Sequence, residues 1–224
     1  MKWSILIGVV ILAVLSATLF ISCSEDDKSP TAPYQKESIC PLSKGNIWTF
    51  VDSTFFDHQV YVDTLRLEIS GDTIVTFENM DYRVYFWSWE IWGAPSNCTR
   101  LVREEDDGLW DLGIVSSSDT LITRSLWAKN PVSQGECWQR DNVLCDCAGS
   151  ISLLGSVDIE CVATNESFET QAGVFSCNVY RTHFGQTTDV YEYFAPDIGL
   201  VGYVVIVDDE MSSKSTLCSY HING

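Results

Sequence analysis

Nine cysteines carry the most versatile chemistry in this chain: Cys23, Cys40, Cys98, Cys137, Cys145, Cys147, Cys161, Cys177 and Cys218. A thiol can take a lipid, close a disulfide or, as thiolate, hold a soft metal. Cys137, Cys145 and Cys147 are close enough in sequence to be weighed as a zinc site, but no C-x-x-C pair accompanies them, and bridges are the better reading in an oxidising compartment. Enzyme signatures are missing. Histidines number three, His58, His183 and His221, and neither H-E-x-x-H nor G-x-S-x-G occurs, nor a Gly-rich phosphate loop. Glu90 and Asp111 could pair as hydrolase carboxylates, yet any acidic domain offers many such pairs. No catalytic residue, metal or cofactor is assigned, and a non-enzymatic role is expected.

The window 82–92, Tyr-Arg-Val-Tyr-Phe-Trp-Ser-Trp-Glu-Ile-Trp, is the most unusual in the chain. On a strand, Tyr85, Trp87, Trp89 and Ile91 share one face, while Val84, Phe86, Ser88 and Glu90 share the other. A row of aromatics suits an apolar-ligand groove or a sugar-stacking platform. It equally suits the core of a curved sheet. Tyr85, Trp87, Trp89 and Trp92 are therefore the ligand-binding candidates, with core packing as the competing reading. Acidic runs at 104–108 and 208–210 could offer oxygens to calcium, but Asp107-Gly108 between apolar runs is first a hairpin signal, and no D-x-[DN]-x-[DN]-G loop exists.

What positions these groups begins with compartment. Lys2 is followed by an apolar run over 3–21 and then Ser22-Cys23-Ser24-Glu25-Asp26-Asp27, the pattern of a secretory signal over 1–22. Ser22-Cys23 resembles the lipobox of bacterial lipoproteins, although Phe20 stands where that family usually carries Leu. The resemblance implies lipidation, such as palmitate, on Cys23. An uncleaved membrane helix is the alternative, since the run approaches the ~20 apolar residues that span a bilayer. Either way the bulk of the chain is exported. Removing Cys23 from the cysteine pool leaves eight, which allows bridges without remainder among Cys40, Cys98, Cys137, Cys145, Cys147, Cys161, Cys177 and Cys218. Cys161 with Cys177, and Cys40 with Cys218, are the two pairings suggested.

Residues 23–39 read as a lipidated N-terminus and flexible tether, with Pro30 and Pro33 among polar groups, and 40–224 as a single domain. The formal net charge of −18 should repel nucleic acid and anionic lipid heads, so no nucleic-acid partner is expected. From Cys40 onward, short runs rich in Val, Ile, Thr, Tyr, Phe and Trp predict strands at 47–56, 59–69, 72–78, 82–92, 99–103, 109–115, 121–127, 157–163, 167–171, 174–183, 189–194, 200–207 and 215–220. No segment holds a helical stripe for three turns. The fold class expected is all-β: an antiparallel curved sheet, half-barrel or sandwich.

The chain also matches itself. Pro41-Leu42-Ser43-Lys44-Gly45-Asn46-Ile47-Trp48 returns as Pro131-Val132-Ser133-Gln134-Gly135-Glu136-Cys137-Trp138, and Asp107-Gly108-Leu109 keeps that spacing with Ile198-Gly199-Leu200. Two repeats of about 90 residues, over 41–128 and 131–222, sharing one core, are expected. The landmarks resemble a loosely defined group of uncharacterised bacterial secreted lipoproteins. Its members open with Pro-Leu-x-x-Gly-Asn-x-Trp, carry Ala-Gly-x-Phe (here Ala172 to Phe175) and close with Tyr-Phe-Ala-Pro-x-x-Gly-Leu-Val (here Tyr193 to Val201). These are structural turns, so the resemblance implies a fold and an exported location but no activity.

The functional expectation is a lipid-anchored envelope protein at the outer membrane, facing periplasm or surface, that binds an apolar ligand or an envelope protein. Surface glycan binding or hydrolysis by Trp87, Trp89 and Trp92 is one alternative. A structural envelope component is the other.

Overall fold

The computed structural model describes residues 37–91, 94–146 and 148–223. Cys23, the signal, Trp92 and Cys147 lie outside the described residues. Among the described residues twelve strands follow one another without a helix: β1 (Ile47–Phe56), β2 (Gln59–Phe77), β3 (Met80–Ile91), β4 (Ala94–Glu105), β5 (Gly108–Ser116), β6 (Thr120–Lys129), β7 (Cys137–Cys145), β8 (Ile151–Thr170), β9 (Gly173–Phe184), β10 (Thr188–Ala195), β11 (Gly199–Val207) and β12 (Glu210–His221). All twelve form one antiparallel sheet in the order β6-β5-β4-β3-β2-β1-β12-β11-β10-β9-β8-β7. The expected all-β class is therefore correct.

Turn chemistry explains the unbroken meander. Asp57-His58, Glu78-Asn79 and Asp208-Asp209 all take positive φ, which two-residue hairpin turns require and which short polar side chains tolerate better than branched ones. The predicted strands at 59–69 and 72–78 fuse into β2, with an irregularity between Ile69 and Gly71, and those at 157–163 and 167–171 fuse into β8. Bends within a continuous strand curl the sheet. β7 was not foreseen, because Cys-Trp-Gln-Arg-Asp-Asn-Val-Leu-Cys holds one β-branched residue and no apolar alternation.

Each odd-numbered strand starts at the end of the sheet where the chain enters and leaves, here the floor, and runs to the opposite end, the mouth. The curled sheet brings its edges β6 and β7 together without a ladder between them. That seam is closed by Trp138 Nε1 donating to Leu126 O at 2.9 Å, by Asp141 N donating to Ser125 Oγ at 2.9 Å, and by a Cys98–Cys145 bridge from β4 to β7. The result is a barrel with one side-chain-sealed seam.

The floor is packed shut. Ile39 and Cys40 are buried, Glu104 accepts from Ser38 Oγ at 2.6 Å and from Ile39 N at 2.8 Å, and Asp197 N donates to Ser38 O at 2.6 Å. Ser38 and Ile39 thus belong to the folded body, which spans Glu37–Gly224, and not to the tether. A line of rings crosses the interior: Trp48 on Trp87 at 5.9 Å, Trp87 on Trp127 at 5.3 Å, Trp127 on Phe194 at 6.3 Å, Phe194 on Tyr180 at 5.7 Å and Tyr180 on Trp138 at 5.7 Å. Stacked and edge-on geometry suits the ring quadrupoles and adds to the area they bury. The main core draws on both halves of the chain, from Trp48 and Trp87 to Tyr180 and Phe194, and among the described residues a smaller cluster lies apart from it. Tyr82, Val84, Leu101 and Leu112 form a separate cluster with Phe86 and Trp110 in the first half of the chain.

Candidate functional site

The aromatic window resolves residue by residue. Trp87 is fully buried between Trp48 and Trp127, so it is core and offers no ring to solvent. Tyr85 is half-buried against the same core. Trp89 lines a cavity of about 380 Å³ together with Leu65, Trp127, Arg140, Glu192 and Tyr203. An exposed strip running through Trp87 is therefore not present, because the sheet curls with that face inward. Glu90 alternates to the other face and lies 3.4 Å from Arg66, so it never meets Asp111 and the hydrolase pair is not assembled.

The cavity faces the mouth. Its walls Trp89, Ser96, Val190 and Val205 each stand two residues from the mouth end of their strands. Its charged groups come from four strands of the two halves. Arg100 on β4 is ion-paired with buried Asp111 on β5, whose other oxygen accepts Gly113 N at 2.9 Å. Glu192 on β10 accepts Trp127 Nε1 with both oxygens, at 3.0 and 3.1 Å. Arg140 on β7 reaches Glu192 only at 3.7 Å, and its guanidinium lies 5.6 Å from the Trp127 ring centre, with that of Arg100 at 5.4 Å. Both carboxylates are thus committed to neighbours, whereas the two arginine forks hold donors in surplus.

Burial lowers the Arg140 pKa; Glu192 works against that shift and Arg100 with it. Arginine nonetheless stays charged at any physiological pH. Tyr203 is a neutral phenol: burial pushes it up to about 12, and its hydroxyl donates to Asp52 at 3.1 Å, an oxygen shared with Ser215 at 2.8 Å. The sequence reading missed Arg100, Arg140, Glu192 and Tyr203. The available signal was parity: Arg100 shares its face of β4 with Val102, and inward-facing charge in an apolar strand is the mark of a built site.

Among the described candidate cysteines one bridge forms, and it is neither of the two pairings suggested. Cys98 and Cys145 bridge, with Cα atoms 6.5 Å apart, while Cys40, Cys137, Cys161, Cys177 and Cys218 are free. Cys161 stands opposite Tyr180, and Cys177 opposite Glu166, because register shifts in the β8–β9 ladder slide them past each other. Burial raises the thiol pKa of Cys161 to about 11 and of Cys177 to about 12, so both are inert apolar fillers. The acidic runs serve structure: Glu104 latches the floor and Asp208-Asp209 forms a hairpin turn. Among the described residues no group of three or more His, Cys, Asp or Glu is placed to hold a metal ion.

No family model and no curated protein matches this chain. Two solved structures are similar to it. One is a candidate exported protein with a YmcC-like fold from Bacteroides fragilis, 17% identical over 83% of this chain and 99% of that one, with a TM-score of 0.49. The other is a candidate lipoprotein from Parabacteroides distasonis, 12% identical over 84% of this chain and 100% of that one, also with a TM-score of 0.49.

Proposed function

We propose that this chain is an exported envelope protein, held to a membrane by a lipid on Cys23, that binds a small amphipathic molecule inside its barrel without transforming it. The sequence supports the anchor through the apolar run, Ser22-Cys23 and the acidic residues that follow. One observation carries the binding role: an interior otherwise filled by aromatic rings keeps about 380 Å³ open beneath the mouth, walled by Trp89 and Tyr203 and floored by ion-paired charge. That volume lies within the ~300–1,000 Å³ of small-molecule sites, and the mix of apolar wall with a few convergent polar groups is their usual composition.

A soluble fragment from Tyr34 onward tests the cavity. It should bind the neutral dye Nile red saturably, and Val205→Trp, which fills the space, should abolish binding while leaving the far-ultraviolet circular dichroism unchanged. Saturable binding that survives Val205→Trp would place the ligand elsewhere. Labelled palmitate should enter the full chain in a bacterial host, and Cys23→Ser should prevent it.

A further inference from the structure

From the cavity's uneven hydrogen-bond supply, we infer that its ligand carries an oxyanion, a carboxylate or a phosphate, held by Arg140 and Arg100 while its apolar part lies along Trp89. The inference rests on the binding role proposed above and names the chemical class of that ligand. Its physical basis is a count of what each charged group already has. Asp111 spends one oxygen on Arg100 and the other on Gly113 N. Glu192 turns both oxygens to the single Trp127 Nε1 proton. Arg100 places a single nitrogen, Nη1, on Asp111. The Arg140 side chain is 12% exposed, and its guanidinium makes no hydrogen bond with any described residue; its nearest carboxylate stands 3.7 Å away.

A guanidinium is a planar fork of N–H donors with no acceptor, and the donors that the protein leaves open on Arg140 lie at the cavity wall. The protein supplies the counter-charge but not the acceptors. Two forks beside one ring, both lining the same open space, match the paired oxygens of a carboxylate or phosphate better than any neutral group. The aromatic and aliphatic walls exclude a bare inorganic ion as the best fit, because Trp89, Leu65 and Val205 would then face water. A cationic ligand is disfavoured because each carboxylate already has an arginine as its counter-charge, Asp111 facing Arg100 and Glu192 facing Arg140.

The full chain reconstituted in nanodiscs of zwitterionic lipid provides the test, with binding read by calorimetry and corrected against empty discs. The probes share one chain length: decanoate, decyl phosphate, decanol and decyltrimethylammonium. Decanoate or decyl phosphate should bind roughly ten- to a hundred-fold more tightly than decanol, the range expected for charge-assisted hydrogen bonds, and the order of those two names the oxyanion. Arg140→Gln should bring the preferred acid down to the level of decanol and leave decanol itself unchanged. Decanol binding as tightly as both acids overturns the inference while the cavity reading stands. Binding of none of the four overturns both. Should Arg140→Gln fail to fold, the wild-type ranking of acid against alcohol is sufficient to uphold or overturn the inference.

Discussion

The two Pro-x-Ser-x-Gly-x-x-Trp turns begin identically and end differently. In the first, Gly45 N donates to Ile69 O at 2.8 Å, Asn46 N to Ser43 O at 3.0 Å, and Ile69 N to Asn46 O at 2.9 Å. In the second, Gly135 N donates to Cys161 O at 2.7 Å, Glu136 N to Ser133 O at 3.1 Å, and Cys161 N to Glu136 O at 2.9 Å. Gly45 and Gly135 share φ values of +86° and +81°. In each half the second strand is the longest, β2 at 19 residues and β8 at 20. The two turns thus share their backbone hydrogen-bond pattern. The tryptophans part company. Trp48 is fully buried and gives its Nε1 proton to Ile198 O at 2.7 Å, whereas Trp138 is half-buried and reaches across the seam to Leu126 O. The cause is position in the sheet. β1 is laddered on both sides, to β2 and β12, while β7 is laddered only to β8. One local sequence thus builds a core anchor where the sheet continues and a clasp where it stops.

The largest effect should fall on the anchor. Trp48→Ala should cost about 3–5 kcal/mol, the usual loss for a buried Trp, while Trp138→Ala should cost about 1–3 kcal/mol because less of its ring leaves water. Urea unfolding of both variants measures the difference. Equal losses would mean that the seam is as well packed as the continuous ladder, and the contrast between anchor and clasp would be gone.

A somewhat smaller effect belongs to the bridge that holds the seam from its mouth side. Cys98 and Cys145 are 47 residues apart, and closing a loop of that length is worth about 2–4 kcal/mol through the unfolded chain. The double substitution to Ala should lower stability by that amount. It should also speed amide exchange in β6 and β7 more than in β1 and β12, since the latter pair keeps its ladder. Uniformly faster exchange would show that the seam is not a local weak point.

How much of this was legible beforehand follows the same division. Hairpin turns, strand alternation and the doubled turn motif are local, and Ile47–Phe56 emerged with the bounds expected of it. Whether an aromatic row faced a groove or a core was not local. Trp87 and Trp89 sit on one face of one strand, yet the curl of the sheet buries the first and lines the cavity with the second. The charged cluster was hidden for the same reason, because Arg100, Asp111, Arg140 and Glu192 come from four strands and meet only when the edges do. Cysteine pairing failed on register: the shifts in β8 that separate Cys161 from Cys177 leave no mark in composition.

The residue after each turn glycine gives the finest comparison. Asn46 is fully buried, donates from Nδ2 to Pro41 O at 2.7 Å and accepts Asn223 N at 2.8 Å, so it ties the first turn to the chain's last residues. Asn46→Ala strands both partners and should cost about 1–3 kcal/mol. Glu136 takes the same place in the second turn but stays at the surface, where its bond to Lys129, and then that from Ser133 N, hold its pKa below the ordinary carboxylate value. A depressed folded-state pKa contributes stability that is present above the unfolded value and lost as pH falls through the folded one. Glu136→Gln should therefore have a small effect near neutral pH, reduced further by added salt, and none once the carboxyl is protonated. Asn46→Ala should cost the same across that range. Melting curves of the two variants against pH separate them, and a Glu136→Gln effect that ignores both acid and salt would show the second turn to be held by something other than that charge.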